Sequence, residues 1–350
     1  MTLKSETRIS KTGIVVLGII VLAALFVAAI THVPQSLPPE VHAILTAPNQ
    51  SSRAVAYQAL ITRVGVDTAQ ELLYHSGLPF DGETHLLNHE SGTAAYEQYG
   101  LSGITHCRDY FLESCYHAFF ISAVVDHGLG VIPQIMEYCY QGGLARTGQC
   151  AHGIGHGLLA WLGYAHLPDA ATACDSLAAQ DSRFPSFNCI DGVFMENVWA
   201  VHDNGIPSPE QWIKAEDAYF PCDDTRIQES WRGACYGNQA ALLYENHHGD
   251  IAAVAQACSK APEDYRASCF DGLARELHPL IGNDPEKART LCQSVESAVR
   301  GEGTPCIISM ALVSYGVGDQ RLGTTLCSLL SSKEQEQCTL MLQRVALPSP

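Results

Sequence analysis

Apolar residues in the stretch CFDGLARELHPLIG recur at intervals of three and four, the spacing of one helix face and not of a strand. The segments HGDIAAVAQAC, IGNDPEKARTLC and VGDQRLGTTLC repeat a common pattern, each with an Asp eight residues before a Cys. Asp250, Asp284 and Asp319 suit helix N-caps, because a carboxylate oxygen accepts from the unpaired N–H groups of a first turn. Pro285 then falls at a first helical position, where a missing N–H costs nothing. The pattern predicts an all-α chain of helix–turn–helix units, with no strands.

One apolar run is of a different kind. Gly13–Ile30 holds no charge over 18 residues, which as a helix spans about 27 Å, close to the thickness of a bilayer core. Lys4, Arg8 and Lys11 precede it against a single acid, Glu6, so the positive-inside rule leaves the short amino terminus in the cytoplasm. A cleaved signal peptide shares the basic start, but this run is longer than a usual signal core and lacks a small-x-small cleavage site. The sequence therefore predicts a cytoplasmic segment (1–12), a transmembrane signal anchor (13–30), a Pro-rich linker (31–40), a helical region (41–106) and a repeat region (107–345). Everything after the anchor is expected to be extracytoplasmic, in a periplasm or at a cell surface.

Composition narrows the function classes. Of 350 residues, 47% are hydrophobic and 16% charged, which excludes a disordered polymer. Lys and Arg number 20 against 37 Asp and Glu, a net charge of −17, so a nucleic-acid backbone would repel the chain. The 14 cysteines, read for an exported chain, are expected to be disulfide-bonded.

Cysteine spacing reveals the repeat. Close pairs are Cys107/Cys115, Cys139/Cys150, Cys174/Cys189, Cys222/Cys235, Cys258/Cys269, Cys292/Cys306 and Cys327/Cys338, separated from one another by 20–32 residues. A period near 35 residues predicts about seven stacked helix–turn–helix units forming a right-handed α-solenoid, with one disulfide per repeat. Two pairings are open. Bonds within the close pairs tie the end of one helix to the start of the next; bonds across the long gaps also join antiparallel neighbours but strand Cys107 and Cys338. The close scheme accounts for all seven pairs alike. The longest gap holds DNGIPSPEQWIKAEDAYF, which reads as a loop plus a short helix. Trp161, Trp199, Trp212 and Trp231 are expected in the core.

AWLGYAHLPDAATAC resembles the SEL1-like relatives of tetratricopeptide repeats, including disulfide-stapled versions, and the architectural resemblance covers roughly residues 100–345. The glycine signature of SEL1 repeats is absent from several units. The resemblance implies a helical-repeat fold and a habit of protein binding, with no particular chemistry attached.

The candidate chemistry lies in the histidines. Nine of 15 fall between His75 and His166, including two pairs four apart, His85/His89 and His152/His156. On a helix such a pair offers two imidazoles from one face, the arrangement by which one helix grips a metal. Two residues after the second cysteine of successive pairs come His117, His152 and Asp191. In a stacked array those positions form a column, with helices roughly 8–10 Å apart. His117, His152, Asp191 and His156 are thus expected to be neighbours, a ligand set for Zn²⁺ or Cu²⁺ foremost, or for Ni²⁺ or Fe²⁺. His85 and His89, on a helix capped by Asp81, would complete this site or form a second one with His106. Glu90 and Glu113 are the nearest carboxylates to orient an imidazole or act as a base. The competing reading is a ladder of hydrogen-bonded His and Asp in a scaffold that binds another extracytoplasmic protein or a peptide. Gly153, Gly192 and Gly272 are expected to permit close helix packing.

Overall fold

The computed structural model describes residues 38–79, 82–199, 201–202, 206–207, 210–214, 217, 219–317 and 319–346. Within them sixteen α-helices follow one another. The first four are α1 (Pro39–Thr46), α2 (Gln50–Val64), α3 (Val66–Tyr74) and α4 (Gly82–Tyr99). Next come α5 (Ser114–His127), α6 (Ile132–Tyr140), α7 (Gly143–Leu162), α8 (Leu167–Gln180) and α9 (Ser186–Trp199). The remainder are α10 (Glu229–Asn246), α11 (Ile251–Ser259), α12 (Glu263–Ile281), α13 (Pro285–Ala298), α14 (Gly303–Gly316), α15 (Gln320–Cys327) and α16 (Ser332–Ala346). Asp250, Asp284 and Asp319 cap α11, α13 and α15, each accepting from a first-turn backbone N–H, and Pro285 opens α13. Asp81 and the apolar segment Gly13–Ile30 lie outside the described residues. Among those described, no single helix is long and apolar enough to cross a membrane.

The insertion after α9 departs from the expected loop and short helix. Its described residues carry a two-residue antiparallel pairing, Val201–His202 with Ile206–Pro207, and turns. Asn197 ties it back to α9 through the backbone N–H and carbonyl of Trp212.

All seven disulfides join close pairs: Cys107–Cys115, Cys139–Cys150, Cys174–Cys189, Cys222–Cys235, Cys258–Cys269, Cys292–Cys306 and Cys327–Cys338. In five of them a short helix (α6, α8, α11, α13, α15) is stapled to the helix that follows it. Each closes a loop of 8–15 residues, worth roughly 2–4 kcal/mol through lost freedom of the unfolded chain. The disulfide sulfurs are buried in two core clusters, the first of which also holds Trp231, Tyr116, Phe119 and Phe194. Trp161, expected there, is instead 44% exposed.

Two layers result. Helices α4, α5, α7, α9, α10, α12, α14 and α16 form an inner row in which each packs against the next, and the shorter stapled helices make the second layer. Neighbours in the inner row run parallel: Gly153 meets the carbonyl of Tyr116, and one turn on Gly157 meets that of Phe120. The approach is closest at Gly92, Gly155, Gly192 and Gly272, where a Cβ would overlap the carbonyl oxygens of Cys115, Cys189, His152 and Gly237 respectively. The row curves, because residues of α4, its first helix, and of α12, its sixth, line one cavity.

Helix contact this tight leaves no room for a methyl group. Gly192→Ala is expected to lower stability by about 2–3 kcal/mol, since backbone must move on both helices. Gly130→Ala, which meets nothing within 4 Å, should stay within about 0.5 kcal/mol of the parent. Denaturant midpoints of the two variants check this; equal midpoints would contradict the packing described.

Candidate metal centre

Three neighbouring inner helices bring five histidines together. α4 supplies His85 and His89, α5 supplies His117, and α7 supplies His152 and His156. They form two groups of three, His85/His89/His117 and His117/His152/His156, in each of which one nitrogen per ring lies within 4.8 Å of the others. His117 belongs to both and is fully buried. The i, i+4 spacing on α4 and α7 does as the sequence suggests: His89 Nε2 is 3.2 Å from His85 Nε2, and His156 Nε2 is 3.2 Å from His152 Nε2.

What holds each ring decides which nitrogen faces inward. His85 Nδ1 donates to the carbonyl of Phe111 at 2.7 Å, leaving the Nε2 lone pair for the cluster. That carbonyl is aimed by an unusual turn: Phe111, Leu112 and Glu113 all have positive φ, at 52°, 54° and 63°. Left-handed backbone costs a non-glycine residue roughly 1–3 kcal/mol, and it persists where the surrounding structure over-determines the conformation. Across the cluster, His156 Nδ1 donates to Glu196 at 2.7 Å, and Glu196 also accepts from the Tyr164 hydroxyl at 2.6 Å. His152 Nδ1 pairs with Asp191 at 3.2 Å.

The consequence for the second group is specific. His156 gives its Nδ1 proton to Glu196 and so presents an Nε2 lone pair, and His152, whose Nδ1 faces Asp191, sets its own Nε2 3.2 Å away. A cation placed between the two Nε2 atoms would be held by both. Carboxylate-backed imidazoles with inward Nε2 atoms are also the usual outer support of a metal-bound histidine.

The electrostatics keep the rings ready to ligate. Burial pushes His85 down to about 4, partly opposed by its bond to Phe111. Burial also holds His89, His117 and His156 below the ordinary histidine value of 6.5, with the other rings adding to it. Burial would raise the Asp191 carboxyl, but the His152 hydrogen bond and the Arg275 guanidinium 3.7 Å away hold it at about 2. Burial raises Glu113 to about 7, with His152 pulling the other way. The depressed rings are thus neutral imidazoles, backed by a carbonyl at His85 and by a carboxylate at His156, a donor set suited to Zn²⁺, Cu²⁺, Ni²⁺ or Fe²⁺.

Several expected roles change. Asp191 sits behind His152, bonded to Nδ1 and to Asn238 at 2.8 Å, and so orients a ligand from the side away from the cluster. His106 forms no second site: it pairs with Asp67 at 2.5 Å and stacks on Tyr99. Glu90 faces α2, accepting from Gln58 at 2.6 Å. Glu196 and Tyr164 were not anticipated. The column rule one turn beyond Asp191 points to Met195, and it is the next residue, Glu196, that reaches His156.

A cavity of about 160 Å³ opens on the cluster, reaching His85, His89, His156 and Glu196 through mostly apolar walls that include Leu86, Phe111, Leu112, Met195 and Val317. Arg275, Glu276 and His278 of α12 form its far side. Burial lifts Glu276 to about 7, opposed by Arg275, and lowers His278 to about 4.

The depressed histidines make the metal-free protein acid-sensitive. Between about pH 6.5 and pH 4 the unfolded chain takes up protons that folded His85 and His278 refuse. Glu113 and Glu276, raised to about 7, act the other way between about pH 4.5 and pH 7. Five depressed histidines outnumber them, so the unfolding free energy falls on balance as the pH drops through that window. Denaturant midpoints of chelator-treated protein should be lower near pH 5 than near pH 7.5; equal midpoints would contradict the burial of neutral rings.

No family model matches the chain, and neither a curated protein nor a solved structure matches it.

Proposed function

We propose that this is a membrane-anchored, extracytoplasmic helical-repeat protein that binds a divalent transition metal, Zn²⁺ or Cu²⁺ foremost, through His85, His89, His117, His152 and His156. The observation that carries the reading is the pair of carboxylate-backed Nε2 atoms of His152 and His156 opposed at 3.2 Å. That distance and the 3.2–3.3 Å spacings around His85 match the edge of a tetrahedron, roughly 3.3–3.4 Å for metal–nitrogen bonds of 2.0–2.1 Å. A hydrogen-bonded histidine ladder accounts for single contacts between rings, whereas a metal accounts for five rings from three helices converging in two groups of three.

The membrane anchor, the right-handed solenoid and the kinship with SEL1-like repeats are part of this proposal. Support comes from the basic, then apolar, amino terminus, and from seven disulfides, which belong in an oxidising compartment. The curving parallel row of inner helices supports the repeat reading. The apolar cavity gives a small molecule access to His85, His89 and His156, so the site suits metal-dependent chemistry on such a molecule as well as metal handling. In such chemistry a bound metal would act as a Lewis acid or redox centre. Glu196 would hold His156 in its ligating tautomer, and Glu276 would offer a proton from the cavity wall. A partner protein on the outer surface, the habit the SEL1-like resemblance implies, is compatible with the same centre.

Elemental analysis of the full-length protein, purified in detergent after oxidative expression, is expected to give near-stoichiometric transition metal. The variant His85→Ala/His156→Ala removes one ligand from each group and should fold, by circular dichroism, while losing the metal. Absence of metal from the parent after reconstitution with Zn²⁺ and with Cu²⁺ would sink the reading.

A further inference from the structure

We infer that the cluster holds two metal ions bridged by the imidazolate of His117, a dinuclear centre; this rests on the metal-binding function proposed above. The five rings do not make one five-ligand site. Their ligating nitrogens fall into two separate sets of three, and the only residue common to both is His117. Its Nδ1 lies 3.3 Å from His85 Nε2, on the side of the first set. Its Nε2 is buried and has no hydrogen-bond partner. The same ring stacks on His156 at 4.0 Å and lies 5.0 Å from His152, the two other members of the second set. The two lone pairs of an imidazole ring diverge, so one ion cannot use both. A buried ring nitrogen without a partner is costly, and a second ion satisfies it.

The charges support the same conclusion. Asp191 and Glu196 both stand behind the second set, against His152 and His156, whereas the first set is backed by a neutral carbonyl. Two divalent ions next to one another need anionic charge between them, and an imidazolate supplies it on the side that lacks a carboxylate. The step balances simply. Neutral His117 carries one N–H; when the second ion arrives, that bond breaks, its electron pair is donated to the ion, and the proton passes to solvent. Two ions on opposite nitrogens of one ring stand about 6 Å apart, given bonds of roughly 2.0–2.1 Å to each. That spacing couples two Cu²⁺ spins through the ring while leaving each ion its own pair of terminal histidines.

Copper(II) is the probe. The full-length protein, stripped with chelator and titrated with Cu²⁺, should take up two ions per chain by elemental analysis. The paramagnetic resonance signal should then integrate to far less spin than the copper present, because exchange through the bridge pairs the two spins. His89→Ala should bind one ion and give the full signal of an isolated Cu²⁺. His117→Ala should lose the coupling whatever copper it retains. The parent measurement decides the matter even where a variant fails to fold. One ion per chain, or two ions with undiminished spin, overturns the bridge and leaves a metal-binding protein standing. No ion at all overturns both.

Discussion

Everything in this molecule depends on how closely parallel helices approach one another. A helix pair held at glycine-to-carbonyl contact places equivalent positions of successive inner helices within reach of a single side chain. At Gly92, Gly153, Gly155 and Gly192 the backbones of α4, α5, α7 and α9 nearly touch, and these are the helices that carry the histidines and the carboxylates behind them. Were the spacing widened by one methyl layer, the helices would remain in register, but His117 would no longer lie within reach of His85 on one side and His152 on the other. Glycine is therefore part of the centre, although it contributes no ligand.

The disulfides do complementary work at a different scale. Five of them fix a short helix against the helix that follows it, and so set the orientation of the inner helix about its axis, while Cys107–Cys115 and Cys222–Cys235 tie an inner helix to the segment before it. Cys115, Cys150 and Cys189 are each followed two residues later by His117, His152 and Asp191. Fastening the cysteine to the outer layer turns the opposite face of the helix, and with it those side chains, toward its neighbours in the row. Core packing and site geometry thus share one cause.

This explains what the sequence could reveal. Helical periodicity, the Asp caps and the close cysteine pairs are local patterns within one hairpin, and each is legible from neighbours in the chain. The column of His117 and His152 was legible too, because a repeat turns distance in sequence into position in space. Four features were not. Asp191 falls in the column, yet its short side chain meets His152 from behind; whether a carboxylate ligates or supports depends on an ångström of helix offset that spacing does not encode. Glu196 is displaced by one residue from the column for the same reason. The left-handed run at Phe111–Glu113 contains no glycine or asparagine to announce it; tertiary contacts impose it against local preference. Trp161, apolar and at helical spacing, lies exposed because periodicity identifies a face without saying that a neighbour covers it.

The disulfide connectivity has a consequence for how the chain matures. Every cysteine bonds to the next one along, first to second and third to fourth, without exception across the seven. A chain emerging amino-terminus first into an oxidising compartment meets its correct partner within 15 residues, before any later thiol has appeared. Simple vectorial oxidation gives the native set, with no need for an isomerase to reshuffle wrong bonds. Because no bond crosses from one stapled pair to the next, each hairpin can close and be finished while the remainder of the protein is still being delivered.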